Sequence, residues 1–266
     1  MYYAFFGIKK MKRISKLLSL IAFFLLLIVS FSSVLNIYEK RNKIFLFLND
    51  KFNESSSYYL DESDIYWAKE ILNGGYILHF RHAERDKWID VQMYDALESD
   101  LHKNGLDESR YAENEYFNKA VCLNDRGKIQ AKAIGESLKY IGLPIGIVYS
   151  SVSCRARQTA ELAFGGYDKM YRILVHRGPY NESEDERIKK LKNLYSNFEE
   201  IKGKNTIVSA HNSVISCKMF INHNCPNSDL ALEEGGFYVL RNTRDGLLFE
   251  HEFHNFKYFN QVFYER

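Results

Sequence analysis

Arg81-His82-Ala83-Glu84 follows the strand-like run from Tyr76 to Phe80, which sets a cation and an imidazole where an α/β sheet usually builds its site. An imidazole attacks only when neutral, and a neighbouring guanidinium disfavours the imidazolium, so the pair suits His82 as a nucleophile. Two later segments supply what such a histidine needs to handle phosphate: Ser150-Ser151-Val152-Ser153-Cys154-Arg155-Ala156-Arg157-Gln158-Thr159-Ala160 and Ser209-Ala210-His211-Asn212. A phosphomonoester carries nearly two negative charges that must be held during attack. The planar fork of arginine grips phosphate oxygens in pairs, so Arg81 and Arg155 form the expected clamp, with His211 as a further donor. The leaving alkoxide needs a proton, which points to a carboxylic acid. Glu182 is the first candidate and Glu184 the second, both in the acidic loop from Asn181 to Glu186. The charged run from Glu182 to Lys190 equally suits a solvated helix start.

Other chemistries fit less well. His79, His82, Glu84 and Asp86 are ligand types, but strand alternation sends His79 and His82 to different sides and no zinc spacing is present. No cysteine stands in a Cys-x5-Arg arrangement, and there is no Gly-x4-Gly-Lys-Ser/Thr loop to cradle a nucleotide. Arg157 reads as a solvated helix charge. His79, His102, His176, His223, His251 and His254 read as structural or exposed.

The elements that must position these residues alternate between strand-like and helix-like from Asp64 onwards, which argues for α/β architecture. Strands are predicted over Tyr76 to Phe80, Gly146 to Ser150, Tyr171 to Val175, Thr206 to Ser209, Phe237 to Arg241 and Leu247 to Phe253. Ala131, Ile134, Leu138 and Ile141 recur at helical spacing after the capping pair Asn124-Asp125, as do Ile188, Leu191, Leu194 and Phe198. Each chemical segment directly follows a strand, so three distant regions converge at the carboxyl ends of a parallel sheet.

With 266 residues and 46% hydrophobic content, the chain can bury one good core. A net charge of +2 without a basic stripe gives no nucleic-acid surface. Lys9, Lys10, Lys12, Arg13 and Lys16 precede an apolar run from Leu17 to Leu35 of about bilayer-spanning length. It reads as an export signal or membrane anchor, with an uncleaved anchor favoured because no Ala-x-Ala site follows. The positive-inside rule then puts the rest of the chain across the membrane. The division expected is 1–35 anchor, 36–63 stalk or linker, and 64–266 catalytic domain, extracytoplasmic and either membrane-anchored or secreted. Cys122, Cys154, Cys217 and Cys225 are an even number, compatible with one or two disulfides or with inert thiols.

From about Gly74 to Phe253 the chain resembles the histidine phosphatase superfamily, the group that includes cofactor-dependent phosphoglycerate mutase and many phosphomonoesterases. Arg81-His82-Ala83-Glu84, Leu123-Asn124-Asp125-Arg126-Gly127, Ser151-x3-Arg155-Ala156-x2-Thr159-Ala160 and Ser209-Ala210-His211-Asn212 stand in the family's order. The resemblance implies a phosphoglycerate mutase-like, three-layer α/β/α sandwich with a mostly parallel sheet. It implies His82 as phosphoryl acceptor, Arg81, Arg155 and His211 around the phosphate, and no metal or cofactor. Asn212 stands where some members carry an acid after the second histidine, which turns attention to Glu182 and Glu184. Val152 replaces a common proline, and Asp86 to Asp90 lacks a common asparagine.

A narrower similarity, to exported members such as lipopolysaccharide-core heptose phosphate phosphatases, implies a Cys122–Cys154 disulfide. The expected activity is hydrolysis of a small phosphorylated substrate, with a silent phosphate-binding module or a phosphomutase as alternatives. The aromatic and acidic insertion from Trp88 to Phe117 is the expected seat of specificity.

Overall fold

The structure is a computed structural model that describes residues 60–86, 121–175, 182–222, 224–225 and 231–264. The apolar run 17–35, the linker up to residue 59 and the insertion 88–117 lie outside the described residues. Among the described residues no helix is long and apolar enough to cross a membrane.

In chain order the elements are α1 (Glu62–Glu70), β1 (Ile77–Arg81), α2 (Asp125–Ile141), β2 (Ile145–Ser151), α3 (Cys154–Phe164), β3 (Lys169–Tyr171), α4 (Glu184–Ser196), β4 (Asn205–Ala210), β5 (Phe237–Thr243), β6 (Gly246–Phe253) and α5 (Phe256–Tyr264). The strands form one sheet in the order β3-β2-β4-β1-β5-β6. β3, β2, β4 and β1 run parallel, and β5 and β6 close one side antiparallel.

Alternation along each strand sorts the core into two layers. Leu78 and Phe80 of β1, Ile207 of β4 and Val239 of β5 pack against Ala68, Ile134, Leu138, Ala160 and Phe259 from α1, α2, α3 and α5. Ile77, Val208, Ala210 and Leu240 face the other way, onto Leu191 and Tyr195 of α4. Helices therefore cover both faces, giving three layers, α/β/α. Register fixes where the site falls, because Phe80 sits opposite Ser209 and Ser209 opposite Ser150. The carboxyl ends of β1, β4 and β2 are level, and the residues that follow them emerge at one edge.

The structure moves one predicted strand. The sheet takes Lys169–Tyr171, and Arg172–Leu174 then forms a 3-10 turn, closed by Val175 N–H donating to Arg172 C=O at 3.0 Å. The apolar residues predicted as strand instead bury Leu174 and Val175 through that turn. Helices α1 and α5 add to the sequence reading. α1 starts at Glu62, inside the last residues read as linker, where Asp61 and Asp64 form a reciprocal capping box.

Candidate active site

Four side chains predicted from three separate segments meet at the level edge of the sheet. His82 and His211 lie ring to ring, 5.1 Å between centroids. Arg155, 1% exposed, and Arg81 both stand close enough to act electrostatically on His82. His82 comes directly after β1, its backbone N–H donating to Ala210 C=O at 3.0 Å. His211 comes directly after β4.

The protonation of His82 follows from its contacts. Its Nδ1 lies 2.7 Å from the carbonyl oxygen of Ala83. A carbonyl only accepts, so Nδ1 carries the hydrogen and the neutral ring keeps its lone pair on Nε2. Burial lowers the pKa of His82 well below the ordinary imidazole value, and the charges of Arg155, Arg81 and Arg85 lower it further. The sequence reading credited the arginines alone; desolvation is the larger cause.

A frame of hydrogen bonds sets each member. Arg81 Nη1 donates to Leu232 C=O and Nη2 pairs with Glu234 at 2.8 Å. Asn212 donates to Leu232 C=O at 2.9 Å and accepts from Leu232 N–H at 3.1 Å. The residue that stands in place of an acid after His211 thus fastens the carbonyl that holds Arg81. Thr159 Oγ1 accepts from Ala83 N–H at 2.9 Å and donates to Arg155 C=O at 2.8 Å, tying the first and second motifs together. His211 Nε2 lies 3.2 Å from Ser151 Oγ. Arg157, expected in solvent, is half-buried with Nε on Val152 C=O at 3.0 Å. Gln158 accepts from Leu123 N–H at 2.8 Å.

Two disulfides link segments next to these residues in sequence. Cys122 joins Cys154, the first residue of α3, and Cys217 joins Cys225. The first is the pairing that the narrower resemblance implied. Gly127, in the first turn of α2, lets that helix sit on the His82 loop: a Cβ there would stand 1.9 Å from Glu84 O.

Glu182 and Glu184 are not drawn into this group. Glu182 pairs with Lys190, and Glu184 is the exposed first residue of α4. The charged run is a helix start, with Ser183 and Glu186 forming its capping box. Glu234 is the residue that sequence reading missed. It sits in a loop more than 150 residues from Arg81, and no local pattern pairs the two. Among the described residues no three His, Cys, Asp or Glu side chains are grouped as metal ligands.

Residues 77–178 match the histidine phosphatase superfamily, branch 1. The resemblance read from the motifs therefore holds over this segment. The matched segment contains Arg81, His82 and Arg155, and β4 brings His211 to it from outside. Curated proteins give no match. Solved structures similar to the chain include three at low identity. A candidate α-ribazole-5′-P phosphatase from Escherichia coli is 16% identical, covering 66% of this chain and 95% of its own, with a TM-score of 0.43. A candidate phosphohistidine phosphatase, SixA, from Agrobacterium tumefaciens is 16% identical, covering 67% and 96%, with a TM-score of 0.40. A phosphoserine phosphatase from Entamoeba histolytica is 14% identical, covering 66% and 95%, with a TM-score of 0.41.

Proposed function

We propose that this chain hydrolyses a small phosphomonoester in two steps through a phosphohistidine on His82. The single observation that carries the reading is the Nδ1 to Ala83 C=O bond, which leaves the Nε2 lone pair as the reactive position beside two guanidiniums. Nε2 attacks phosphorus and the ester P–O bond breaks. The leaving oxygen takes a proton from the donor carboxylic acid; water then attacks phosphorus and gives a proton back to that carboxylate, the P–N bond breaks, and inorganic phosphate leaves with the imidazole again neutral. Arg81, Arg155 and His211 hold the transferring oxygens.

For the proton donor the proposal keeps to Glu182, then Glu184. Its support is that the first turns of α4 run beside the chain after His211: Arg187 Nη1 donates to Ser213 C=O at 3.4 Å, and Lys218 pairs with Asp185 at 3.0 Å. The proposed setting is extracytoplasmic, tethered by the N-terminal apolar run. All four cysteines are in disulfides, which favours an oxidising compartment.

The test uses the full chain in detergent, with p-nitrophenyl phosphate and an alkyl phosphate. His82→Ala is expected to abolish hydrolysis of both while the protein stays folded. Glu182→Gln is expected to slow the alkyl ester by roughly 100-fold or more and to spare the aryl ester, whose leaving group needs no proton. Full turnover in His82→Ala removes the nucleophile assignment. Wild-type protein that binds inorganic phosphate without hydrolysing either ester is instead a binding module.

A further inference from the structure

His79 lies three residues before His82 on β1, and its side chain points to the opposite side of the sheet from Phe80, into the layer covered by α4. It is fully buried, between the rings of Tyr195 and Tyr238 at centroid distances of 6.1 and 5.9 Å. A histidine in an apolar layer has a plain reading as a satisfied core residue. Its two partners give it more to do.

His79 Nε2 lies 3.0 Å from the carbonyl oxygen of His211, and His79 Nδ1 lies 2.6 Å from the Tyr195 hydroxyl. The carbonyl can only accept, so Nε2 bears the hydrogen. In a neutral ring Nδ1 is then an acceptor, and the Tyr195 hydroxyl donates to it. The direction of every hydrogen in the chain Tyr195 to His79 to His211 C=O is therefore fixed. Burial keeps His79 neutral, its pKa lowered to about 4.

The recipient is the backbone of a pocket residue. His211 C=O also accepts from Val214 N–H at 3.3 Å, so two donors hold the peptide that leaves β4. The direction of the His211 side chain, towards Ser151 Oγ and the His82 ring, depends on that peptide.

We infer that His79 and Tyr195 are positioning residues for His211, coupling helix α4 to the phosphate pocket through the sheet. The inference rests on the phosphatase reading for its catalytic consequence. Its binding consequence stands separately, because inorganic phosphate probes the same pocket without turnover. A misplacement of the order of an ångström can cost about 100-fold in rate. Loss of one of two donors should cost less.

The discriminating experiment compares His79→Leu, His79→Gln and Tyr195→Phe in the full chain. Glutamine is the conservative variant, since its amide NH2 can occupy the Nε2 position and donate to the same carbonyl. Each variant is titrated with inorganic phosphate by calorimetry and assayed with p-nitrophenyl phosphate, and folding is checked by thermal melting. His79→Leu should weaken phosphate binding by about tenfold and lower kcat/KM by about 10- to 100-fold. His79→Gln should recover most of both, and Tyr195→Phe should fall between. Folded His79→Leu that binds phosphate like the wild type overturns the inference, as does His79→Gln performing no better than His79→Leu at equal melting temperature. If His79→Leu does not fold, the comparison of His79→Gln and Tyr195→Phe with wild type decides, and wild-type phosphate affinity in Tyr195→Phe overturns the coupling to α4. Absence of hydrolysis in the wild type defeats the phosphatase reading alone and leaves the phosphate titration to judge His79.

Discussion

A buried neutral histidine is a stabilising feature only while solvent is not acidic enough to protonate its unfolded counterpart. The ordinary value for His79 is 6.5 and the folded protein lowers it to about 4. The unfolded chain therefore binds the proton more readily, so the contribution of His79 is complete above about pH 6.5. It is lost progressively as pH falls towards 4. Integrated over that window the loss is roughly 3 kcal/mol, and His82, shifted in the same direction, adds to it. Denaturant unfolding at pH 7 and pH 4.5 measures this directly. The wild type is expected to lose stability between the two, and His79→Leu to lose less. Equal losses would assign the acid sensitivity elsewhere. The same depression of His82 keeps its Nε2 lone pair available below the usual imidazole range, so the acid limb of kcat/KM should lie below pH 6.5. On the proposed reading Arg81 and Arg155 act twice, holding an anionic substrate and keeping His82 unprotonated.

Elements place those residues through close backbone approach as well as through hydrogen bonds. Gly127 stands in the first turn of α2, where Asn124 caps the helix by accepting its N–H at 2.7 Å. A methyl group at Gly127 would meet the backbone of Glu84, which cannot step aside without moving the His82 loop. Alanine would otherwise favour the helix by about 1 kcal/mol. Gly127→Ala is nevertheless expected to destabilise by about 1–3 kcal/mol and to lower kcat/KM, read by denaturant melts and the aryl phosphate assay. Unchanged stability would mean that α2 does not bear on that loop. This is also where the sequence was most and least readable. Asn124-Asp125 and the spacing of Ala131, Ile134 and Leu138 mark α2 because capping and one-sided burial are local properties. Helix α5, Phe256–Tyr264, is rich in aromatic residues that also suit strands. Phe256 and Phe259 pack on Phe237 and Phe253, and the helical spacing of Phe256, Phe259 and Phe263 is a local sign that the sequence reading passed over. Arg81, His82, Arg155 and His211 were legible because they lie at or just beyond the carboxyl ends of β1, β2 and β4. Glu234 and the role of Asn212 were not, because their partners are set by how loops fold back over the sheet edge.

At the scale of the molecule, two covalent links fall on the segments that carry the pocket. Cys122–Cys154 spans 32 residues and ends at the residue before Arg155, whereas Cys217–Cys225 spans 8 and lies after His211. A cross-link stabilises chiefly by restricting the unfolded chain, so the longer loop should contribute about 3–4 kcal/mol and the shorter about 2–3 kcal/mol. Stability and function should separate differently for the two. Removing Cys122–Cys154 with a double alanine substitution frees the start of α3, where the backbone carbonyl of Arg155 is still held by Thr159 Oγ1. The main expected effect is therefore a fall in melting temperature, with a smaller rise in KM as the arginine gains freedom. Removing Cys217–Cys225 leaves Arg155 undisturbed and should lower stability less. Thermal melts and kcat/KM for the two double variants, each beside wild type, check the ordering. A larger loss of stability from the eight-residue link would show that native packing around Cys217 outweighs loop entropy. An unchanged KM on breaking the longer link would show that Thr159 alone suffices to hold Arg155.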